Sequence, residues 1–205
     1  MPHRDLLLIF TRNPELGKCK TRLAAKVGNQ AALDIYVFLL EHTARITEGL
    51  NFQKRVYYSE DIWENDIWDD RLYEKKLQQG ADLGERMAHA FAQGFMDGYH
   101  RICIIGSDMF HLSSEDISTA FSMLHTHDVV LGPATDGGYY LLGMKKLKDA
   151  PFINKAWCTH TVLRDTLADL SSEKVYLLPE KNDVDHYEDI KDIPEFGPFL
   201  KHMKE

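Results

Sequence analysis

Short apolar runs recur along the chain and predict the strands of a buried sheet. The first covers residues 6–10 (LLLIF), and the others fall at 56–58, 102–105, 129–131, 139–142 and 175–178. Several runs are apolar at successive positions rather than at alternate ones, which is typical of strands covered on both faces. We therefore predict strands at these positions, packed between layers of helices.

Stretches with helical periodicity separate these runs. The clearest begins at Asn29, a residue suited to cap a helix, and it spaces its apolar or small residues three and four apart: Ala32, Ile35, Tyr36, Leu39, Leu40 and Thr43. Further helices are predicted for about 83–95, 115–124 and 161–170. Strands that alternate with helices imply right-handed crossovers and a mostly parallel sheet. We predict one three-layer α/β/α domain over residues 1–205, with ligands bound at the carboxyl ends of the strands.

Composition and charge limit the partners of such a domain. The chain has 205 residues, of which 44% are hydrophobic and 27% charged, as in ordinary globular proteins. Its net charge of -8 repels phosphodiester backbones and anionic lipids, so we predict neither a nucleic-acid nor a membrane partner. Cys19, Cys103 and Cys158 form no C-x-x-C pair, and residues 6–10 are too short for a signal or a membrane span. These features predict a cytoplasmic protein.

The segment after the first predicted strand is basic. Residues 12–26 hold five basic residues and one acidic residue, although the whole chain is acidic. A basic loop that leads into a helix favours an anion, because free N–H groups, the helix dipole and cationic side chains act together. The predicted anion-binding residues of this loop are Arg12, Gly17, Lys18, Lys20 and Arg22. The alternative is a solvated basic helix start.

The spacing of Lys20 and Arg22 sets a condition on that site. Residues two apart on a helix point in different directions, so the two side chains converge only if Lys20 lies in the loop before the helix. The segment matches neither G-x-x-x-x-G-K-[ST] nor G-x-G-x-x-G. The predicted anion site is therefore of neither of these phosphate-binding types.

A carboxylate follows the predicted strand at 102–105. Gly106 and Ser107 lead to Asp108, which places an oxygen ligand at the edge of the sheet where ligands bind. Hard oxygen ligands suit Mg²⁺ or Mn²⁺ that is shared with substrate phosphates. The alternative, that Asp108 caps the next helix, is less favoured because Ser113 or Ser114 suits that position better.

Two further carboxylates lie near the end of the chain. Asp183 and Asp185 are two apart, so in an extended segment they face the same way and both reach one cation. Asp185 with Glu188 also fits a box that starts a helix, and for Asp185 the two interpretations stay equal. Asp183 is favoured as a metal ligand.

Two acidic regions allow both a structural and a functional interpretation. Asp136 lies in a Gly-rich stretch between two predicted strands, which fits a hairpin turn or a residue that binds a hydroxyl or accepts a proton. Residues 60–70 hold six carboxylates and no basic residue. We interpret this segment as an acidic surface helix or loop pinned by Trp63 and Trp68, with a lid over an acceptor as the alternative.

Six motifs in this order give the chain a family resemblance that spans nearly its whole length. They are K-T-R-L at 20–23, Q-x-G-x-D-L-G-E-R-M at 78–87, G-S-D at 106–108, D-G-G-Y-Y-L-L-G at 136–143, W-C-T at 157–159 and D-V-D at 183–185. Together they resemble the glycosyltransferase-like family often described as radical-SAM-associated transferases. That family is similar in fold to the nucleotide-diphospho-sugar transferases, the GT-A fold. Its K-T-R-L segment resembles that of 2-phospholactate guanylyltransferase.

The resemblance implies a nucleotide or nucleotide-sugar donor, a small acceptor and a divalent cation, Mg²⁺ or Mn²⁺. By position, Lys20 and Arg22 would contact phosphates, whereas Gly80 and Asp82 would lie beside the nucleotide. The same likeness places Asp108 on the metal, with Asp183 or Asp185 completing its ligands, and turns Asp136 toward the acceptor. Met109 and Phe110 stand where the family usually has a pair resembling Cys-Pro, so the turn after Asp108 is expected to differ.

Three functions follow from these features. The family resemblance favours glycosyl transfer from a nucleotide-diphospho-sugar. The basic loop favours nucleotidyl transfer, in which a phosphorylated acceptor attacks a nucleoside triphosphate. A non-catalytic nucleotide-binding protein is the third possibility, and it would follow if Met109 and Phe110 spoil the metal site.

Overall fold

One seven-stranded sheet organises the computed structural model, which describes residues 5–157 and 159–203. Its strands are β1 (Asp5–Thr11), β2 (Gln53–Tyr58), β3 (Glu74–Leu77), β4 (Arg101–Gly106), β5 (Val129–Pro133), β6 (Tyr139–Met144) and β7 (Val175–Leu177). Their order is β3-β2-β1-β4-β6-β5-β7, and only β6 runs antiparallel to its neighbours. The predicted mostly parallel α/β fold is confirmed.

Helices cover both faces of this sheet. They are α1 (Thr21–Val27), α2 (Asn29–Glu48), α3 (Leu83–Met96), α4 (Ser114–Met123) and α5 (Val162–Asp169), with 3-10 turns at Ala150–Phe152, Tyr187–Asp189 and Pro194–Met203. On one face, Leu7 and Ile9 of β1 belong to a core shared with α2 and α4. On the other face, Leu6 and Leu8 pack in a core with α3. β1 is therefore apolar at successive positions because both of its faces are buried.

A third apolar cluster joins α1 and α2 to the end of the chain. Val184 is fully buried there. Asp183 and Asp185, on either side of it, line a cavity at the carboxyl ends of β1 and β4. The buried valine anchors this bent segment in the apolar cluster, while the two flanking carboxylates remain on the cavity side. Asp183 and Asp185 therefore both line the cavity, although they have different charged neighbours.

Two local predictions were wrong or incomplete. Asn29 is the first residue of α2 rather than its cap, because Gly28 takes that position with a φ of 85°. Gly28 donates its N–H to Ala24 at 2.8 Å and accepts the N–H of Ala32 at 3.1 Å, so α1 passes directly into α2. β3 was not predicted, because its sequence EKKL contains no apolar run and forms an edge strand beside β2.

Some carboxylates cap helices, and others are left for contacts elsewhere in the fold. Ser113 and Asp116 form a reciprocal capping box at α4, so the predicted cap is confirmed and Asp108 is not used there. The alternative helix-start box of Asp185 with Glu188 was wrong. Asp189 accepts the backbone N–H of Asp185 at 3.0 Å instead, which leaves the Asp185 carboxylate available.

The stretch around Asp136 is the turn of a β5–β6 hairpin. β5 and β6 pair antiparallel, and Ala134 donates its N–H to the carbonyl of Gly138 at 3.0 Å. The hairpin interpretation is confirmed. Asp136 of this turn also lines the cavity that opens at the carboxyl ends of β1 and β4. Across the described residues, no helix has the length and apolar character needed to span a membrane.

Candidate active site

A cavity of about 810 Å³ opens at the carboxyl ends of β1 and β4. Ten of the predicted site residues line it: Arg12, Lys18, Lys20, Arg22, Asp82, Gly106, Asp108, Asp136, Asp183 and Asp185. Gly17 and Gly80 are not among its lining residues. Its position agrees with the rule that ligands bind at the carboxyl edge of an open α/β sheet.

Lys20 connects the predicted cation-binding and anion-binding residues. Its side chain is only 5% exposed, and its Nζ donates to Asp108 Oδ2 at 2.7 Å and to Asp185 Oδ1 at 3.1 Å. Arg22 reaches the other oxygen of Asp185, with Nη1 at 3.4 Å from Oδ2. Lys20 and Arg22 therefore meet on one carboxylate despite their spacing.

The backbone of Lys20 explains this convergence. Lys20 precedes α1 in the left-handed region, with φ 47° and ψ 49°, so it lies in the loop as the spacing requires. A non-glycine residue in that region costs roughly 1 kcal/mol or more, and such strain persists only where the surroundings hold it. The two ion pairs of Lys20 provide that restraint.

The ion pairs determine the charge of both partners. Desolvation alone would lower the pKa of Lys20 and raise that of Asp108, but their mutual attraction outweighs it. The net result raises the pKa of Lys20, to which Asp185 also contributes, and lowers the pKa of Asp108. Both groups are therefore charged at neutral pH.

Asp183 lies in a less compensated environment. Desolvation and the neighbouring carboxylates Asp136 and Asp185 raise the pKa of Asp183 to about 6, and Lys20 offsets only part of this effect. Backbone bonds hold this side of the cavity together, since Thr135 donates its N–H to the carbonyl of Lys181 at 3.0 Å. The carboxylates near the hairpin turn thus form a negative wall.

The donor set suits a divalent cation only in part. Within residues 5–157 and 159–203, no group of three or more His, Cys, Asp or Glu side chains is arranged to hold a metal ion. Asp108 and Asp185 each place an oxygen within 3.1 Å of one point, the Nζ of Lys20. Mg²⁺ commonly uses one or two carboxylates and completes its ligands with water and substrate phosphates. The geometry favours Asp185 over Asp183 as the companion of Asp108, and the metal itself stays a prediction.

A buried hydroxyl network holds the strand ends beneath this site. The Tyr36 hydroxyl of α2 accepts the N–H of Arg12 at 2.9 Å and lies 3.5 Å from both Thr11 Oγ1 and Ser107 Oγ. Ser107 in turn donates to Thr11 Oγ1 at 3.1 Å. The sequence assigned Tyr36 only to the apolar face of its helix, so this role was missed, because nothing local distinguishes a tyrosine with a tertiary partner.

Asn13 fastens the basic loop to the acidic segment 60–70. Its side chain is buried, and Oδ1 accepts the N–H groups of Glu60 and Asp61 at 3.2 and 3.3 Å while Nδ2 donates to the Asp61 carbonyl at 2.7 Å. Lys18 adds ion pairs to Glu15 at 2.8 Å and Glu60 at 3.8 Å. Sequence reasoning did not single out Asn13, although it satisfies three backbone groups.

The acidic segment itself is a loop without helix or strand. Trp68 is buried in the core and Trp63 packs partly against it, as expected of a pinned surface loop. Lys75 bonds Asp66 and Asp70, both at 2.9 Å, so part of the negative charge is neutralised from β3. Glu60 lines the cavity, which leaves the lid interpretation as a prediction.

The turn before α3 uses its predicted residues structurally. Gly80 has a φ of 142°, and a Cβ there would lie 2.7 Å from the backbone nitrogen of Arg86. Asp82 caps α3 by accepting the N–H of Glu85 at 2.9 Å. Gly80 therefore permits a close chain approach, and Asp82 lines the cavity while serving as a cap.

The hairpin turn is docked on the segment before α5. Gly137 has a φ of 89°, and a Cβ at this position would overlap the backbone of His160. Its carbonyl accepts the N–H of Leu163 at 2.9 Å, which fixes the turn that carries Asp136 in the cavity wall. Cys158 of the W-C-T motif lies outside the described residues.

Met109 and Phe110, which follow Asp108, pack in two different apolar clusters. Met109 is buried with the sheet, α2 and α4, whereas Phe110 packs edge-on against Phe196 with ring centroids 4.9 Å apart. Asp108 still reaches Lys20. The departure from the family pattern therefore leaves Asp108 in the cavity.

Comparison with known proteins places the chain in a family. Residues 43–159, more than half of the chain, match the family described as "Uncharacterized protein conserved in bacteria (DUF2064)". This chain belongs to that family. No curated protein matches the sequence.

Solved structures show the same architecture. A Desulfovibrio desulfuricans G20 protein, provisionally named a nucleotide-diphospho-sugar transferase, is 29% identical with a TM-score of 0.86, over 98% of this DUF2064 chain and 96% of its own. A cytidylyltransferase from Leptospira borgpetersenii has 12% identity and a TM-score of 0.63, over 98% and 94% of the two chains. A 4-diphosphocytidyl-2C-methyl-D-erythritol synthase has 12% identity and a TM-score of 0.60, over 96% and 99%.

These likenesses support the nucleotide-diphospho-sugar transferase type of fold. At 12% identity, the two cytidylyl-type structures show a common fold alone. The closer relations to radical-SAM-associated transferases and to 2-phospholactate guanylyltransferase stay predictions.

Proposed function

We propose that this protein is a nucleotide-dependent transferase that moves a sugar from a nucleotide-diphospho-sugar to a small hydroxyl-bearing acceptor. The observation that carries the proposal is the division of charge within one cavity. Lys20 and Arg22 lie on the side of the β1 loop, whereas Asp136 and Asp183 lie on the side of the β5–β6 hairpin. A donor phosphate and an acceptor would therefore occupy chemically different walls.

The basic loop suits the diphosphate of the donor. Arg12, Lys18 and Arg22 line the cavity with exposed side chains, and Lys20 lies beneath them. Cations at this place would bind the donor and stabilise the negative charge that develops on the leaving diphosphate. Asp108 and Asp185 would hold a divalent cation that supplies further positive charge to that leaving group.

The hairpin wall favours a neutral acceptor over a phosphorylated one. Asp136 and Asp183 would repel an incoming phosphate, but a carboxylate binds a hydroxyl by accepting its proton in a hydrogen bond. During transfer, the acceptor oxygen would form a bond to the anomeric carbon while the bond from that carbon to the phosphate oxygen breaks. The nucleoside diphosphate would leave, and Asp136 would take the acceptor proton.

Nucleotidyl transfer is the second candidate. The several cations of the β1 loop and the fold shared with cytidylyltransferases favour it. In that reaction, an acceptor phosphate attacks the α-phosphorus of a nucleoside triphosphate and pyrophosphate leaves. The negative hairpin wall is the feature that places this reaction second.

A ligand panel tests the proposal. The full chain with Mg²⁺ is heated in the presence of each nucleotide-diphospho-sugar and each nucleoside triphosphate, since a ligand at 100 times its Kd stabilises by about 2.7 kcal/mol. Stabilising donors are then incubated with polyols and sugars, and the released product is identified. Nucleoside diphosphate release that depends on a hydroxyl acceptor supports glycosyl transfer. Pyrophosphate release with a phosphorylated acceptor would replace it with the second candidate.

Lys20→Ala tests the contribution of Lys20 to phosphate binding. We expect this variant to bind the stabilising nucleotide about tenfold or more weakly with Mg²⁺ still present, because it removes a positive charge that would contact the phosphates. Isothermal titration measures the change, and Lys26→Ala, which removes an exposed charge from α1, is the matched control. Equal losses in the two variants would contradict a specific role for Lys20.

A further inference from the structure

Lys20 holds the position that a divalent cation would take. Its Nζ lies 2.7 Å from Asp108 Oδ2 and 3.1 Å from Asp185 Oδ1, the two carboxylates best placed to bind a metal. These oxygens are hard donors that suit Mg²⁺ or Mn²⁺ as well as an ammonium group. One location thus serves two different cations.

The two cations exclude one another. A metal ion between these carboxylates would meet the Lys20 ammonium at close range, and two cations at that separation repel one another. The Lys20 side chain is 5% exposed and its ammonium bonds both carboxylates, so leaving them costs two charge-assisted hydrogen bonds. A metal alone offers Lys20 no new partner in exchange.

Phosphate oxygens would offer that partner. Lys20 borders the cavity and has a long flexible side chain, which reaches a new acceptor by rotation about its own bonds. Arg22, which is 62% exposed, also pairs with Asp185 at 3.4 Å, so that carboxylate would keep a cationic partner if Lys20 moved.

We propose that Lys20 is a resident cation that occupies the metal position until nucleotide phosphates draw it away. Metal then binds together with the nucleotide and only weakly before it. The proposal rests on the proposed function for the identity of the incoming phosphates. The competition between Lys20 and the metal rests on this chain's geometry alone.

Mn²⁺ titration without nucleotide tests the competition. The full chain, Lys20→Met and the matched control Lys26→Met are titrated calorimetrically with Mn²⁺, and bound Mn²⁺ is counted by electron paramagnetic resonance. We expect Lys20→Met to bind Mn²⁺ at least about tenfold more tightly than the unaltered protein, because two carboxylates lose their cation. Lys26→Met should match the unaltered protein. Equal or weaker Mn²⁺ binding in Lys20→Met overturns the proposal.

A second measurement keeps the proposal testable if Lys20→Met does not fold. The unaltered protein should show little thermal shift with millimolar Mn²⁺ alone and a clear shift once a stabilising nucleotide is added. Tight binding of Mn²⁺ at micromolar concentration with Lys20 present overturns the proposal without any variant. If no nucleotide binds at all but Lys20→Met gains Mn²⁺ affinity, the proposed function fails and the competition stands.

Discussion

The two sides of the cavity treat negative charge differently. On the β1 side, the carboxylates of Asp108 and Asp185 are bonded to Lys20, and the pKa of Asp108 is lowered. On the hairpin side, Asp183 faces other carboxylates, and its pKa is raised to about 6. One side is therefore electrostatically satisfied as it stands, whereas the other retains an excess of negative charge.

This difference indicates on which side of the cavity a ligand gains the most favourable binding free energy. On the satisfied side, a ligand must replace existing ion pairs, so binding there depends on matching charge and on a cation. On the unsatisfied side, any group that donates a hydrogen bond or carries positive charge relieves repulsion. Neutralising Asp108 should therefore remove a favourable ion pair, whereas neutralising Asp183 should relieve repulsion between carboxylates.

Asp108→Asn is expected to give the largest effect. It keeps the shape of the side chain but removes one unit of charge from the Lys20 pair and from the predicted metal. We expect nucleotide binding in Mg²⁺ to weaken about 100-fold, or about 2.7 kcal/mol, and the unaltered protein in EDTA to behave alike. Isothermal titration with and without EDTA measures both.

The matched control for Asp108→Asn is Asp34→Asn, which changes the net charge equally at an exposed position of α2. It should leave nucleotide affinity unchanged. Equal affinity of the unaltered protein in Mg²⁺ and EDTA, preserved in Asp108→Asn, would remove the metal from the mechanism.

Asp183→Asn should stabilise the protein. The pKa of Asp183 rises on folding from its usual value of 3.8 to about 6, so the folded state binds more protons than the unfolded state between these values. Its stability therefore falls as pH rises through this window, and the whole deficit is present above pH 6. Asparagine stays neutral, so we expect a gain of about 1–2 kcal/mol at pH 7.5, reduced for partial solvent screening.

Urea unfolding in EDTA at pH 4 and pH 7.5 measures this change. The gain should be nearly absent at pH 4, where the carboxyl group is largely protonated in the folded state. A gain of the same size at both pH values would show that Asp183 acts through packing rather than charge.

Tyr36→Phe is expected to have the smallest effect on stability. Removing the hydroxyl leaves the N–H of Arg12 without the acceptor that it meets at 2.9 Å, which costs about 1 kcal/mol. Because Arg12 begins the basic loop, nucleotide affinity should also fall.

Tyr73→Phe provides the comparison, since its hydroxyl bonds Ala44 and Thr47 of the same helix. Both variants should lose similar stability in urea unfolding, but only Tyr36→Phe should weaken nucleotide binding. An equal effect of the two variants on affinity would make Tyr36 purely structural.

Local patterns predicted much of the fold correctly. Apolar runs identified six of the seven strands, and the cap at Ser113 was predicted from residue type alone. β3 was missed because an edge strand needs no apolar run, and the start of α2 was misassigned because Gly28, with its positive φ, caps it. Both errors occur where position in the fold overrides residue preference.

The sequence by itself determined the alternation of strands and helices, the excess of cations after β1 and the carboxylates at the strand ends. These depend on neighbouring residues, whose spacing decides which side chains share a face. Only the tertiary structure decided the partners, because Lys20 lies 88 residues from Asp108 and 165 from Asp185. The left-handed backbone of Lys20, held by those distant ion pairs, directs it to a site that no local pattern encodes.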